Sequence, residues 1–296
     1  MSEIAQQLVN GLSLGSTYAL LALGLALVFT TFGLINFAHG ELITLTCYTA
    51  FGLSLAGMPW GVAVAGGLVA AVLSAVLMER IAFRPVRGKP PTTSLLISFG
   101  VSLVIQALIT MLVSPRNKTV PQWGWLGESQ RLGGLVIPRY QIVTVVVALL
   151  ALAGALFVLR RTSIGLQMRG AAEDLDGVRL LGVRAGRLVV LAFAASGFLA
   201  GIAAVLLMAR TGGSINPHMG LMPMLSAFVA VVIGGFGSLG GAVLGGFLLG
   251  MTEVALRAWL PQSVVGLTTG LIFAAVVLLL VVKPAGLLGK PLEEKV

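Results

Sequence analysis

The sequence predicts an all-α polytopic membrane protein: a bundle of about eight to nine transmembrane helices with broken or re-entrant segments. Three observations predict it. Mean hydropathy is +1.03, and charged residues make up 10% of the chain, against roughly 25% in a soluble domain. Apolar runs of about 20 residues recur along the whole length, each able to cross a bilayer core of about 30 Å. These runs are apolar on every side rather than alternating. Helices, not barrel strands, must therefore satisfy the backbone in lipid.

The runs follow one another in order. The first, 8–29, is preceded by Glu3 and by no Lys or Arg, unlike a cleavable signal peptide, so it reads as a retained span. Runs at 42–57, 61–78, 93–113, 140–159 and 188–209 come next, and 264–282 closes the series. The block 221–256 is too long for one span and is interrupted by "GGFGSLGG", so it divides into two spans or half-spans. That makes about nine crossings; a segment that only dips into the membrane would leave about eight. The chain 1–296 reads as a single transmembrane domain.

Basic residues orient it. With nine crossings, 13 of the 19 Lys and Arg residues fall at 80–89, 160–187 and 283–295, and the other six at 116–139, 210 and 257. The positive-inside rule puts the larger group, and the C-terminus, on the cytoplasmic side. Trp123 and Trp125, in the outer loop 114–139, suit an interface belt. The net charge of +9 is thereby explained. No aromatic-interleaved basic face suggests nucleic acid, and no nucleic-acid partner is expected. The single cysteine, Cys47, lies in an apolar run and reads as a small buried residue.

Three stretches depart from the greasy background. "GLINFAHGELITL", 33–45, sets Asn36, His39, Gly40 and Glu41 between two apolar runs, near the inner end of the first span. Polar groups there usually face a cavity or protein interior. The stretch is either a helix broken beside a translocation path, with Asn36, His39 and Glu41 along it, or a short cytoplasmic turn with a polar edge. His39 and Glu41 lack the HExxH spacing of a zinc site, and no metal site is expected. In the second stretch, Gly237, Gly241 and Gly245 are spaced by four, as are Gly246 and Gly250. Small residues on one helical face permit close helix packing, either static or sliding during transport. Ser238 resembles a nucleophile only superficially. No histidine follows it, and His218 is expected on the outer loop, so a small turn residue is the better reading.

The third stretch, "MRGAAEDLDGVRLLGVRAGRL", spans 168–188. Its first part is expected to form one amphipathic helix at 168–181, with Ala171, Leu175 and Val178 on one stripe and Gly182 as its stop. Resting on headgroups suits it poorly, because the inner leaflet is negative and Glu173, Asp174 and Asp176 would be repelled. A protein partner suits it better. The chain carries no Walker motif, dinucleotide fingerprint or paired carboxylates, so energy for uphill transport must come from elsewhere.

"AAEDLDGVRLLGV", 171–183, resembles the cytoplasmic loop motif of ABC importer permeases. "GLSLGSTYALLALGLALVFTTFGLINFAHGE", 11–41, and "VVIGGFGSLGGAVLGGFLLG", 231–250, resemble the branched-chain amino acid permease family, specifically the first of its two paralogous permeases. The resemblance implies an ABC importer permease fold with a coupling loop at about 160–187. Arg169, Glu173, Asp174, Leu175, Leu181 and Gly182 would serve that loop. It also implies a second paralogous permease, two cytoplasmic ATP-binding subunits and a periplasmic substrate-binding protein, in a bacterial inner membrane. ATP would bind the partner subunits, and no cofactor this chain. The expected cargo is leucine, isoleucine and valine; urea and short-chain amide permeases share very similar motifs. A membrane-embedded enzyme would need a catalytic pair that is not found. An ion channel or carrier would need carboxylates on several spans, where only Glu41, Glu79 and Glu253 stand near span ends.

Overall fold

The computed structural model describes residues 2–122, 124–132 and 134–289. Trp123, Lys290 and Lys295, used above for the interface belt and the charge count, lie outside the described residues. Helix α1 covers Ser2–Phe32, α2 His39–Leu55, α3 Trp60–Met78 and α4 Pro91–Leu112. Short strands β1 (Lys118–Thr119), β2 (Ser129–Leu132) and β3 (Leu135–Pro138) occupy the next loop. Then come α5 (Arg139–Arg161), α6 (Ser163–Glu173), α7 (Leu175–Leu180), α8 (Ala185–Arg210) and β4 (Ser214–Ile215). The chain closes with α9 (Leu221–Gly234), α10 (Leu239–Trp259) and α11 (Thr268–Val282). Each apolar run seen in the sequence is a helix, and seven of these helices are long and apolar enough to cross a membrane.

The remaining two are short. At 1.5 Å per residue, α2 is about 26 Å long and α9 about 21 Å. Both begin inside the bundle. Helix α1 runs on to Phe32, and residues 33–38 then fold back inward, setting His39 against Gly24 of α1 and Ser196 of α8. Gly24 lies eight residues before the end of α1, so α2 starts about 12 Å below that end. The stretch expected near the inner end of the first span therefore sits deep among the helices.

Helix packing is two-fold pseudo-symmetric. Helix α1 packs along α10, and α8 along α3; α2 packs on α3, and α9 on α10. The pair α1 and α8 cross at the centre, each also touching the other's short neighbour. The C-terminal end of α1 shares a cavity with the C-terminal end of α5, where the chain turns through α6 and α7 into α8. Helices α1 and α8 therefore run in opposite directions, and the halves α1–α4 and α8–α11 form an inverted repeat of the kind many transporters use. Helix α1 is the most enclosed, with 89% of its apolar window buried against 17% for α11. It is the axis on which the other helices are hung.

Close approach at that axis depends on small residues. A Cβ added at Gly246 would strike Ala19, and one at Gly250 would strike Gly15. Gly241 and Gly245 face α9 in the same way. Gly237 does not belong to this helical face: it lies in the turn before α10 with φ +87° and open space around it. The reason is local, because Ser238 accepts a hydrogen bond from Gly241 N–H (3.0 Å) and so starts the helix one residue after itself. Gly246→Leu is expected to lower the melting temperature of the purified protein sharply, since overpacking costs about 1–3 kcal/mol or more. Gly240→Leu, where a Cβ meets nothing within 4 Å, should leave the melt within a few degrees; equal effects would refute the packing account.

Candidate functional site

Two loci hold the polar stretches that the sequence singled out. The first surrounds the break between α1 and α2. A backbone leaving helical geometry inside an apolar bundle exposes N–H and C=O groups that must find partners. Helix α4 supplies them from one stripe, with Ser94, Ser98, Ser102 and Gln106 at successive intervals of four, all buried. Ser94 Oγ accepts from Ile35 N–H at 3.3 Å, and Ser98 Oγ from Phe37 N–H at 3.0 Å. Ser102 Oγ and Gln106 Nε2 both donate to Glu41 Oε1, at 2.8 and 2.7 Å.

His218 joins the same network. Its Nδ1 lies 2.8 Å from Gln106 Oε1; an amide oxygen only accepts, so Nδ1 carries the proton. His218 stays in the loop between α8 and α9, where it was expected, but that loop returns inward to reach Gln106. Residues 216–220 dip inward after β4, and Asn216 Oδ1 accepts from His218 N–H (3.0 Å) to form the tight turn. Strand β4 pairs with β1 and anchors the far end of this dip. At its near end, Gly220 meets Gly40 so closely that a Cβ on either would strike the other's carbonyl. Glycine at both positions is what lets the starts of α2 and α9 touch.

Asn36, His39 and Glu41 are thus brought together, fully buried, with Ser196 Oγ 3.1 Å from His39 Nδ1. His218 is exposed at the edge of the group. Sequence reasoning points to His218 only as an outer-loop residue and not at all to the α4 stripe. A signal for both existed: "INFAHG" (35–40) and "INPHMG" (215–220) each open with Ile-Asn, close with Gly and carry one histidine. Polar residues at 94, 98, 102 and 106 likewise interrupt an apolar run at helical spacing.

The second locus is the corner formed by α6 and α7. One continuous helix over 168–181 was expected; the chain instead breaks at Asp174, whose φ and ψ are −148° and 101°. Asp174 Oδ1 accepts from Gly177 N–H at 2.9 Å and so caps α7. The helix ends in a Schellman motif, with Gly182 N–H bonded to Arg179 O (3.0 Å) and Val183 N–H to Val178 O (3.3 Å). Gly182, at φ +79°, supplies the left-handed residue. Arg169 donates from Nη1 to Leu159 O at the end of α5, where a cation suits the helix dipole. Arg169, Asp174 and Gly182 therefore build the corner. Leu175 packs partly against the core. Glu173 is exposed and lines a cavity of about 480 Å³ that also reaches Gly237 and Ser238. Leu180 and Leu181 project outward, 90% and 83% exposed. Leu180 was absent from the expected set.

The arrangement is of a kind many transporters use: an inverted repeat, two short helices meeting at depth, and an exposed helical corner at one end. The family model described as "Branched-chain amino acid transport system / permease component" matches residues 7–282. The chain belongs to this permease family. Similar relatives include the high-affinity branched-chain amino acid transport system permease protein LivH of Escherichia coli K12. It is 36% identical, with 98% of this chain and 97% of the relative covered. BraD of Pseudomonas aeruginosa, which carries the same description, is 36% identical over the same shares. The galactofuranose transporter permease protein YtfT of E. coli is 24% identical over 86% of this chain and 74% of its own. Within this permease, Gln106→Leu is expected to strand Glu41 and His218 together. Stability should fall by about 1–2 kcal/mol, read as a shifted denaturation midpoint in detergent. Gln106→Glu is expected to fare worse still, and an unshifted midpoint for both would refute the network.

Proposed function

We infer that this permease is the membrane subunit of an ATP-driven importer for leucine, isoleucine and valine, set in a bacterial inner membrane. The observation that carries the cargo is likeness along nearly the whole chain to two permeases named for branched-chain amino acids. It favours that class over urea or short-chain amides. In this reading the end of the bundle bearing α6, α7 and the arginines is cytoplasmic, in keeping with the positive-inside rule. A periplasmic binding protein delivers substrate at the opposite end. A second, paralogous permease completes the passage, and two cytoplasmic subunits bind and hydrolyse ATP.

The corner of α6 and α7 is the coupling element of this reading. Two exposed leucines on a capped, sharply ended helix suit a hydrophobic groove on a partner protein. The cavity between α6 and the turn at 237–240 gives the corner room to move against α10. Helix α10 is packed on α1, so displacement there reaches the meeting point of α2 and α9 through rigid helices. Asn36, His39, Glu41 and His218 would line or gate the passage when that contact opens. An equilibrium of this kind shifts only as far as ATP and the loaded binding protein favour one state over the other.

Reconstituted vesicles holding both permeases, the ATPases and the binding protein should take up labelled leucine only with ATP present. Uptake driven by an ion gradient alone, or uptake of urea in preference to leucine, would reject the proposal. Leu180→Asp with Leu181→Asp should weaken co-purification of the ATPase subunits by roughly tenfold or more while membrane insertion persists. Unchanged co-purification would remove the docking role. Asp174→Lys is the poorer test, because it also uncaps α7. A topology reporter placed after Leu181 should read cytoplasmic, and one at Asn117 periplasmic; the reverse result would invert the orientation.

A further inference from the structure

We propose that the cleft between the end of α3 and the start of α8 binds the phosphate headgroup of an anionic phospholipid. The cleft has a volume of about 560 Å³. Arg80, Arg84 and Arg87 line one wall, Arg184 and Arg187 the other, and Glu79 lies between. Two segments far apart in sequence thus aim five guanidinium groups at one concavity. Dispersed arginines would satisfy the positive-inside rule equally well; a shared cleft is an additional feature.

Local structure produces the convergence. Beyond Met78 the helix widens into a π turn, Glu79–Phe83, and then tightens into a 3-10 turn, Arg84–Val86. Such π turns are frequent at functional sites because they redirect side chains. Phe83 and Phe193, both buried, pack with tilted rings, centroids 5.1 Å apart, and tie the two walls together. Glu79 pairs with Arg87. Arg80, Arg84, Arg184 and Arg187 are exposed and have no acidic partner among the described residues. Arg87 Nε is buried without a hydrogen-bond partner. The lining therefore carries five positive charges against one negative. Like charges gathered this closely repel one another, and a bound anion relieves the repulsion. Guanidinium groups match phosphate oxygens two at a time.

The surface above the cleft identifies the source of the phosphate. Val69, Leu73 and Leu77 form an exposed stripe along α3 at successive intervals of four, and Ile81 continues it beside Arg80 and Arg84. Leu191 of α8 is exposed on the other wall. Acyl chains can lie along this apolar stripe while the headgroup reaches the arginines below. A free phosphate would have no use for the stripe. The cleft faces the anionic inner leaflet only if the orientation proposed above is right.

The test uses the full-length protein purified in neutral detergent, with lipid retention read by native mass spectrometry. Phosphatidylglycerol, phosphatidylcholine and inorganic phosphate are the three probes. Phosphatidylglycerol is expected to be retained over phosphatidylcholine, and millimolar phosphate should not displace it. Arg84→Gln with Arg187→Gln should weaken that retention roughly tenfold or more. Arg160→Gln with Arg161→Gln removes equal charge outside the cleft and should leave it intact. If the first pair fails to fold, each single variant substitutes for it, with an expected loss of roughly fivefold. Equal losses in the two pairs, equal retention of both lipids, or displacement by phosphate would overturn the site. Binding in detergent is independent of topology. A reversed reporter pattern with phosphatidylglycerol still selectively retained would therefore fault the orientation and not the cleft.

Discussion

A backbone that leaves helical geometry in the middle of an apolar bundle must be given partners, and the rest of this structure follows from that requirement. Residues 33–38 are such a backbone. Two side chains of α4 stand opposite them, and two more follow on the same stripe, each one helical turn from the next. The two serines nearer the start of α4 accept the freed N–H groups; Ser102 and Gln106 hold Glu41 instead. Water cannot perform this task in a lipid-surrounded interior, where each unmet group costs several kcal/mol. The position of α4 is therefore specified by polar contacts, although most of its surface is apolar and outward-facing.

The inverted repeat explains why one break is matched by another. Helices α2 and α9 are the corresponding short elements of the two halves, and their N-termini meet at Gly40 and Gly220. The backbones touch through two glycines, and the side chains of Thr44 and Met224 close around them. By contrast, α1 and α10 are packed along their length through Gly15, Ala19, Gly246 and Gly250. The bundle thus combines an axis seated along the length of two helices with a centre closed where two helix ends meet.

Much of the candidate site was legible in the sequence. Asn36, His39 and Glu41 stood out because polar residues are rare in apolar runs and rarely idle there. Gly182 was legible as a helix stop from its place after a periodic segment. His218 was not, because hydropathy places any short polar stretch between two spans in a loop. The return of that loop into the bundle depends on its pairing with residues 118–119, nearly a hundred positions earlier. The α4 serines were passed over because serine in an apolar helix often bonds only to its own backbone. The break at Asp174 was missed for a related reason. An aspartate fits the polar face of one helix as well as it caps the next, and only the folded corner selects the cap.

The sequence by itself determined that this protein spans a membrane as a helical bundle, which apolar helices exist and where the apolar runs are interrupted. Those properties follow from local composition, because lipid thickness and backbone hydrogen bonding act on each segment separately. Tertiary structure alone decided that the interruptions meet, that His218 faces Gln106, and that arginines from α8 and from the end of α3 share a cleft. These are agreements between segments distant in the chain. They are set by which helices approach closely enough to touch, and that is fixed by glycine-permitted packing and buried polar pairing.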